Sequence, residues 1–393
     1  MKVLKIIHGF PPDYMAGSEV YSYHLAKELI NQDINVTVFT RVENEFDDNY
    51  KIYEESYENI NIVRVNKPKK DYLFTDKYYD KEIDRIFENY LKSIMPDIVH
   101  IGHLSHLSTN FIKIVKKNNI PIIYTIHDFW LYCVKGQLIN KEGKICSGPS
   151  IDKCFNCSNY VVNEKEVELI IEHMNESINM IDKFISPSIT LKDFFVKQDI
   201  CEEKIAYLKY GFNTEKIKYN RKVFNNAMKI NFGFMGRVIP TKGIKVLVDC
   251  FKNLENETLS IYGGIGIQKR FLETENIKFK GSYHNNNINE VLNDIDVLIV
   301  PSIWLENAPL VIQEAFLAGI PVITSNLGGM SELVKNGVNG YTFEAGNSKE
   351  LEKIITMISN RPEMLNELEN SRDLIIDIKE DVKNIVKLYK ELL

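Results

Sequence analysis

Two carboxylates in one apolar stretch, residues 295–324, have the type and spacing to do chemistry. The run at 297–300 is short, apolar and β-branched, which is typical of a buried strand. Glu306 follows on a loop at the carboxyl end of this strand, where open parallel sheets bind ligands. Glu314 lies about two turns into the next helix. The pair would suit a polyhydroxy ligand or a developing positive charge, and spacing alone fits two solvated acids equally well.

The segment after these residues carries the signals of a helix. Asn307 can cap it, and Pro309 suits the first turn because the N–H that proline lacks would have no partner there. Gly319 is the expected stop before a second strand at residues 320–324. Such a β–loop–α–β unit holds both acids near one edge of a sheet.

Two cations, Arg237 and Lys242, follow another strand at residues 229–235. Thr241 is the expected N-cap, which places Lys242 in the first helical turn. A cation there opposes the helix dipole at a cost of a few tenths to about 1 kcal/mol. The arrangement makes sense if a polyanion such as a diphosphate lies between the two cations, although two solvated surface cations remain an alternative.

The chain opens with a strand at residues 2–8 and a helix at residues 18–31. The loop between them lacks the G-x-G-x-x-G pattern, and the strand at 34–40 ends without a ribose-binding acid, which argues against a nicotinamide or flavin enzyme. The loop ends in Gly17, where backbone N–H groups can meet an anion at a helix N-terminus.

Other strand ends carry candidate ligand contacts. His127 and Asp128 follow the strand at 121–126, where a histidine is either structural or functional. Gly263 and Gly264 follow another strand; glycines there let a backbone approach a ligand but are also ordinary turn formers.

Length and composition limit the class of protein. The 393 residues suffice for two domains, and the alternation of strands and helices indicates parallel α/β sheets. A hydrophobic fraction of 44% is that of a globular protein, and a net charge of −6 argues against nucleic-acid binding. No apolar run approaches the ~20 residues of a membrane span. The short first apolar run predicts a strand rather than a signal peptide, so we expect a cytoplasmic protein that touches a membrane only at its cytoplasmic face.

Four cysteines lie within 25 residues, in an insertion at about 131–160: Cys133, Cys146, Cys154 and Cys157. In a reducing compartment, clustered thiols favour a structural zinc over disulfides. The spacing does not match a known finger, so free thiols and a redox role stay open. Cys201 and Cys250 stand apart and are expected to be small core residues.

Residues 66–81 interleave lysines with large apolar and aromatic side chains. This pattern suits an anionic lipid surface, and the alternative is a solvated loop that leads into a helix at 78–94. The residues concerned are Lys67, Lys69, Lys70, Tyr72, Leu73, Phe74, Lys77, Tyr78 and Tyr79.

The chain resembles the family-four retaining glycosyltransferases of GT-B type, also called glycosyl transferases group 1. The motifs that carry the resemblance occur in the family's order over about 330 residues: HGFPPDYMAGSEVYSYHLAKEL, TIHDFW, YGFNTEKI, GRVIPTKG, IYGGIG and ENAPLVIQEAFLAGIPVITSNLGGMSELV. The loop departs from the family in one place, since Ala16-Gly17 replaces its commoner Gly-Gly.

The resemblance implies an α/β fold of two facing Rossmann-like domains with an interdomain cleft. The domains would cover residues 1–210 and 211–375, with a helix at 376–393 that packs back on the first domain. Catalytic roles are implied for Glu306, His127, Arg237 and Lys242. Donor contacts are implied for Gly17, Gly264, Asn307, Ala308, Pro309, Leu310 and Glu314, with Glu314 on the ribose and the two cations on the diphosphate.

The implied activity is transfer of a hexose, with retention, from a UDP- or GDP-sugar to a saccharide or lipid-linked acceptor in polysaccharide or glycoconjugate synthesis. Asp294-Ile295-Asp296 spells a DxD metal motif but precedes its strand, at the edge opposite the ligands, so we expect no cofactor for catalysis. Alternatives are a sugar-nucleotide epimerase or hydrolase of the same fold and a non-catalytic sugar-nucleotide-binding paralogue. The paralogue would have no need of cations for a leaving group.

Overall fold

The computed structural model describes residues 1–67, 77–157, 163–264 and 274–393. The chain forms two compact units. Unit 1 is Met1–Phe212 with Asp377–Leu393, and unit 2 is Asn213–Ile376. The expected boundaries after residues 210 and 375 therefore lie two residues and one residue before the observed ones.

Unit 1 contains a sheet of eight strands in the order β3-β4-β2-β1-β5-β6-β7-β8. All neighbours pair in parallel except β3 and β4. The strands are β1 (Lys2–Ile6), β2 (Asn35–Val42), β3 (Ile52–Tyr57), β4 (Ile60–Asn66), β5 (Ile98–Ile101), β6 (Ile122–Thr125), β7 (Lys183–Ser186) and β8 (Ile205–Tyr207), and a short β9 (Gly211–Phe212) follows.

The helices of unit 1 connect these strands. They are α1 (Gly17–Asn31), α2 (Lys81–Ile94), α3 (Asn110–Lys117), α4 (Ile151–Cys157), α5 (Glu164–Asn179) and α6 (Ile189–Lys197). Helix α1 begins one residue earlier than expected, with Ala16 at the N-cap. The Ser18 hydroxyl lies in the first turn of α1 and donates to the Glu19 carboxylate.

Unit 2 contains a fully parallel sheet in the order β12-β11-β10-β13-β14-β15. Its elements in chain order are β10 (Asn231–Met235), α7 (Ile244–Phe251), β11 (Thr258–Tyr262), β12 (Ile277–Gly281), α8 (Ile288–Asp294), β13 (Val297–Val300), α9 (Leu310–Ala318), β14 (Val322–Ser325), α10 (Gly329–Leu333), β15 (Gly340–Phe343) and α11 (Ser348–Asn360). The chain then passes through β16 (Ile376–Asp377) into α12 (Ile378–Leu392) of unit 1.

The four residues of β13 are all buried, in accord with their continuous apolar run. Helix α9 ends at Gly319 in the left-handed conformation, as expected. Two predicted caps are wrong. Pro309, not Asn307, precedes α9. Thr241 belongs to a short 3-10 turn, Pro240–Lys242, and Gly243 separates this turn from α7.

Buried hydrogen bonds join helix α12 to the rest of unit 1. The Asp381 carboxylate accepts from the Tyr21 hydroxyl at 2.9 Å and from the Gly211 backbone N–H at 2.8 Å. The Tyr389 hydroxyl lies 2.6 Å from Nδ1 of His100, whose Nε2 lies 2.7 Å from the Thr125 hydroxyl. These contacts join the C-terminal helix to α1, β5, β6 and β9.

The basic and aromatic segment is only partly described, because residues 68–76 lie outside the described ranges. Two of its remaining members do not face solvent. Lys67 is buried and pairs with Asp80 at 3.0 Å, and Tyr78 is buried against Trp130 with 5.3 Å between ring centroids. The assignment of Lys67 and Tyr78 to a lipid-facing surface is therefore wrong. No helix in the described part of the chain has the length and apolar character needed to cross a bilayer.

Tyr389→Phe should lower the free energy of unfolding of unit 1 by about 1–2 kcal/mol, because it leaves the buried Nδ1 of His100 without its partner. The chain has two tryptophans, Trp130 in unit 1 and Trp304 in unit 2. In a Trp304→Phe background, urea unfolding followed by fluorescence therefore reports on unit 1. Tyr219→Phe, at a residue of unit 2 that is 45% exposed, should leave this transition unchanged. An unfolding curve of Tyr389→Phe that matches its parent would show that the hydroxyl contributes nothing.

Candidate active site

Glu306 is the centre of a polar cluster in unit 2. It is 6% exposed, and a single carboxylate oxygen, Oε1, accepts hydrogen bonds from three side chains. These are the Ser302 hydroxyl at 2.7 Å, the Trp304 indole N–H at 3.0 Å and the Lys242 ammonium at 2.5 Å. Lys242 also lies 5.7 Å from the centroid of the Trp304 ring, a cation–π distance. The carboxylate is thus held by its own loop and by a loop 64 residues earlier in the chain.

Close backbone packing brings Lys242 to Glu306. Gly243 has a φ of +74°, and an added Cβ there would lie 1.8 Å from the carbonyl oxygen of Pro301. The same two segments also share a hydrogen bond, which the Ile303 N–H donates to the Thr241 carbonyl at 3.0 Å. The turn before α7 therefore rests directly on the loop after β13, and a side chain at residue 243 would separate them.

A second close contact fixes the Glu306 loop from another direction. The Gly329 N–H donates to the Glu306 carbonyl at 2.8 Å. An added Cβ at Gly329 would lie 1.4 Å from the Asn307 carbonyl oxygen, so glycine is required there for steric reasons. The start of α10 thus packs against the backbone of Glu306 and Asn307, and the Asn307 side chain is itself buried.

Glu314 lies in the middle of α9 and differs from Glu306 in its surroundings. Burial raises the pKa of Glu314 to about 7, and Lys216 opposes that rise. Its carboxyl group has no hydrogen-bond partner among the described residues. Burial raises the pKa of the neighbouring Tyr283, and the charge of Glu314 raises it further. A carboxyl group without a partner in such a setting is suited to bind hydroxyl groups of a ligand.

The remaining residues of unit 2 that the sequence predicts to contact the donor lie at the start of α9 and in the loops after β10 and β11. Ala308, Pro309 and Leu310 form the entry to α9, where the first-turn N–H groups have no partner within the helix. The side chain of Arg237 makes no hydrogen bond or ion pair in the described ranges, and the residue is exposed. The Gly264 carbonyl accepts from the N–H of Val238, beside Arg237, at 2.9 Å.

Asp294 and Asp296, the two acids of the DxD motif, form ion pairs and hydrogen bonds with other residues of unit 2. Asp294 pairs with Lys280 at 3.2 Å, and Asp296 accepts from Lys222 and from the Asn231 N–H, each at 2.7 Å. Asp296 directly precedes β13, at the opposite end of the strand from Glu306.

His127 lies in unit 1, two residues beyond β6. Its Nδ1 is 2.5 Å from the Tyr210 hydroxyl. Burial lowers the pKa of His127 well below the usual range, and the charges of Lys5, His103 and His8 lower it further. The imidazole is therefore neutral at pH 7 and can act through hydrogen bonds rather than as a cation.

The sequence did not single out three residues of the polar group near His127 and Asp128 as functional partners: His8, Glu19 and His103. The rings of His8 and His103 are 4.4 Å apart; His8 lies 3.2 Å from Glu19, and His103 lies 3.4 Å from Asp128. Burial raises the pKa of Glu19, but hydrogen bonds from His8 and Ser18 outweigh it and bring the value to about 2. The available signal was the position of His8 and His103 two residues after β1 and β5, parallel neighbours in which Ile6 pairs with Ile101.

Gly17 is the first residue of α1 and is exposed, so its N–H is accessible at a helix N-terminus. The preceding Ala16 is also exposed. Of the six cysteines, the four in the insertion are half-buried, Cys250 is buried and Cys201 is exposed, which corrects the expectation of a core residue at 201.

The arrangement in unit 2 can bind a negatively charged ligand and stabilise charge beside it. Lys242 lies next to Glu306, and α9 begins four residues later in the chain, at Leu310. A cation, an anion and a helix N-terminus thus belong to one loop system. Such a set suits a reaction in which a group leaves with negative charge and its partner becomes positive.

Comparison with known proteins agrees with this chemistry. Residues 215–373 match the family described as glycosyl transferases group 1, and residues 15–216 match glycosyltransferase family 4. An uncharacterized glycosyltransferase of Methanocaldococcus jannaschii is 24% identical over 405 residues, covering 100% of this chain and 99% of that protein. An amylovoran biosynthesis glycosyltransferase of Erwinia amylovora is 24% identical over 174 residues, covering 40% of this chain and 42% of that protein.

A solved structure shows the same fold. Anabaena HepE, in complex with UDP and glucose, superposes with a TM-score of 0.69 over 99% of both chains at 16% identity. Together with the two family matches, this shows that the chain belongs to the group 1 glycosyltransferases and has the two-domain α/β fold called GT-B.

Proposed function

We propose that this glycosyltransferase transfers a hexose, with retention of anomeric configuration, from a UDP- or GDP-sugar to a saccharide or lipid-linked acceptor. Unit 2 binds the donor and unit 1 the acceptor. The observation that carries the proposal is the Glu306 carboxylate with Lys242, Ser302 and Trp304 on one oxygen, beside the N-terminus of α9.

The first role of these residues is to stabilise the leaving group. When the bond from the sugar to the diphosphate breaks, negative charge grows on the β-phosphate. In this proposal the charge is stabilised by Lys242, Arg237 and the first N–H groups of α9, since groups fixed before the reaction act most strongly on the transition state. With these cations present, the proposed mechanism needs no metal at the donor site.

The second role concerns the sugar, which becomes positively charged as the diphosphate leaves. In this proposal Glu306 stabilises that charge from its fixed position, because Oε1 is already occupied by three donors and Oε2 is left to face the donor. Neutral His127 hydrogen-bonds a sugar hydroxyl through its ring, oriented by Tyr210. Gly17 approaches the phosphates, and Gly264 and residues 307–310 line the donor.

Two relatives support the substrate class. HepE was solved with UDP and glucose, and the Erwinia protein is named for amylovoran biosynthesis. By this analogy we assign the chain to polysaccharide or glycoconjugate synthesis.

The activity is tested by incubation with UDP-, GDP- and ADP-sugars, with and without saccharide and lipid-linked acceptors. We expect release of nucleotide only when donor and acceptor are both present, and a product whose anomeric proton coupling in NMR matches that of the donor. Metal-chelated reactions should proceed at the same rate. Release without acceptor would indicate a hydrolase, conversion without release an epimerase, and an inverted product would contradict retention.

Glu314→Gln should raise the donor KM roughly 10- to 150-fold at pH 8, because charge-assisted hydrogen bonds to the ribose contribute about 1.5–3 kcal/mol. The pH dependence provides a sharper test. Since the pKa of Glu314 is raised to about 7, the ionised form that accepts both ribose hydroxyls gains population as pH rises from 6 to 8. Donor affinity in the parent protein should therefore increase over this interval.

This dependence should vanish in Glu314→Gln and persist in Glu290→Gln, which alters an exposed acid of the same unit. Calorimetric titration with an intact nucleotide sugar measures donor affinity at each pH. Both phosphates of such a donor are esterified on two sides, so neither changes its protonation between pH 6 and 8. An equal pH dependence in Glu314→Gln and the parent would refute the assignment of Glu314 to the ribose.

A further inference from the structure

The loop that joins β1 to α1 is buried at its start and exposed at its end. Phe10 and Pro11 are buried. Met15 and Ala16 are exposed, as is Gly17, the first residue of α1. Exposed loop ends are mobile unless neighbouring groups restrain them. The position of Gly17 therefore depends on the contacts that hold the rest of the loop.

Arg64 of β4 holds the buried part of this loop. Its guanidinium donates from Nη1 to the Phe10 carbonyl at 3.0 Å and from Nη2 to the Pro11 carbonyl at 2.5 Å. Nη1 also lies 3.3 Å from the Asp13 carboxylate. The Arg64 side chain is 3% exposed, so these interactions are shielded from water. A planar guanidinium can bond two consecutive carbonyls in this way, and an ammonium group does not reproduce the geometry.

A different atom of the same guanidinium bonds to the sheet. Nε of Arg64 donates to the carboxylate of Glu55 on β3, the strand that pairs with β4. The side chains of Glu55 and Asp13 are 43% and 47% exposed. Arg64 thus has one acidic partner on the sheet and one on the loop, and the two can be changed separately.

Further contacts continue from the held carbonyls toward the exposed end. The Tyr14 N–H donates to the Phe10 carbonyl at 3.4 Å, so Arg64 and Tyr14 share one acceptor. The Tyr14 ring packs closely on Gly9, where an added Cβ would lie 2.7 Å from Cγ of the ring. The Arg41 guanidinium lies 5.8 Å from the centroid of the same ring. Tyr14 is therefore held through both its backbone and its ring.

The chain is also held on the other side of its exposed residues. Glu19, in the first turn of α1, is 4% exposed, and its carboxylate lies 3.2 Å from Nε2 of His8. Residues 15–17 therefore lie between two held residues, Tyr14 and Glu19. A segment this short between fixed ends has few conformations, so its position follows that of its ends.

We propose that Arg64 is a positioning residue for the transfer reaction: by holding the carbonyls of Phe10 and Pro11, it sets the position of Gly17. This inference rests on the proposed function, which assigns Gly17 to the donor phosphates. Arg64 acts through the loop and needs no contact with the substrate. Misplacing a group by about 1 Å can slow a reaction roughly 100-fold, even when the altered residue does not touch the reacting atoms.

The first test is limited proteolysis of the full chain with chymotrypsin, with cleavage after Tyr14 followed by mass spectrometry. Arg64→Lys keeps the charge but loses the planar fork. Cleavage should become at least about 10-fold faster, because a hydrogen bond to a charged group contributes roughly that factor to local opening. Asp13→Asn should accelerate cleavage less. Glu55→Gln, which alters only the partner on the sheet, and Arg85→Lys, at a side chain that is 65% exposed on α2, should leave it unchanged.

The second test separates positioning from stability. At saturating donor, Arg64→Lys should lower kcat roughly 10- to 100-fold and change the donor KM little, because the donor contacts of unit 2 remain. Molecules able to bind nucleotide are counted by calorimetric stoichiometry with UDP and with GDP, so that a loss of folded protein is not mistaken for a loss of kcat. Cleavage rates are divided by those of synthetic peptides of the same sequences, which removes any preference of the protease.

Cleavage of Arg64→Lys at the parent's rate would overturn the proposal, and so would an unchanged kcat in a variant whose loop has opened. If Arg64→Lys fails to fold, Asp13→Asn decides, and unchanged cleavage in that variant counts against Arg64. If the loop opens in Arg64→Lys but the parent transfers no sugar from any donor, the loop contact stands and the proposed function fails.

Discussion

The candidate site in unit 2 depends on one constraint, the fixed position of the Glu306 carboxylate. Three donors converge on one of its oxygens, and backbone packing holds its loop from two sides. Gly243 allows the turn that carries Lys242 to touch the loop after β13, and Gly329 allows α10 to touch the backbone of Glu306. Such rigidity is what electrostatic catalysis requires, since groups already oriented need not reorganise when charge develops.

Glu306 and Glu314 belong to the same β–loop–α–β unit but lie in different environments. Glu306 is surrounded by hydrogen-bond donors. Glu314 is half-buried and has no hydrogen-bond partner in the described ranges, and burial raises its pKa to about 7. A carboxylate with its donors already in place is suited to act on the transition state. A carboxyl group without donors is suited to take them from a ligand. The environments therefore support the division of roles that we propose for the two residues.

Much of the fold could be predicted from the sequence, because buried parallel strands have a continuous apolar pattern and helix ends have specific residues. The strand β13, helix α9 and its stop at Gly319 follow directly from local patterns. The caps at Thr241 and Asn307 were wrong because tertiary contacts of Gly243 and Gly329 determine those turns.

The rest of the site depends on contacts between residues that are far apart in the sequence. Local sequence patterns do not contain this information. Lys242 reaches Glu306 from 64 residues earlier, and Lys67 is neutralised by Asp80 rather than exposed. In unit 1 the sequence indicated His127 but not its electrostatic neighbours. Those become visible only when β1, β5 and β6 are placed side by side.

The central claim is that Lys242 and Glu306 act as one unit. A double-mutant cycle on kcat at saturating donor, with Lys242→Met, Glu306→Gln and the double variant, tests it directly. Glu306→Gln should lower kcat roughly 100- to 1000-fold, by analogy with loss of one preorganised group, and the double variant should be little slower than the slower single variant. Lys245→Met and Asp249→Asn, which alter an exposed pair on α7, should leave kcat unchanged. A near-normal kcat for Glu306→Gln, or losses that multiply in the double variant, would contradict the account.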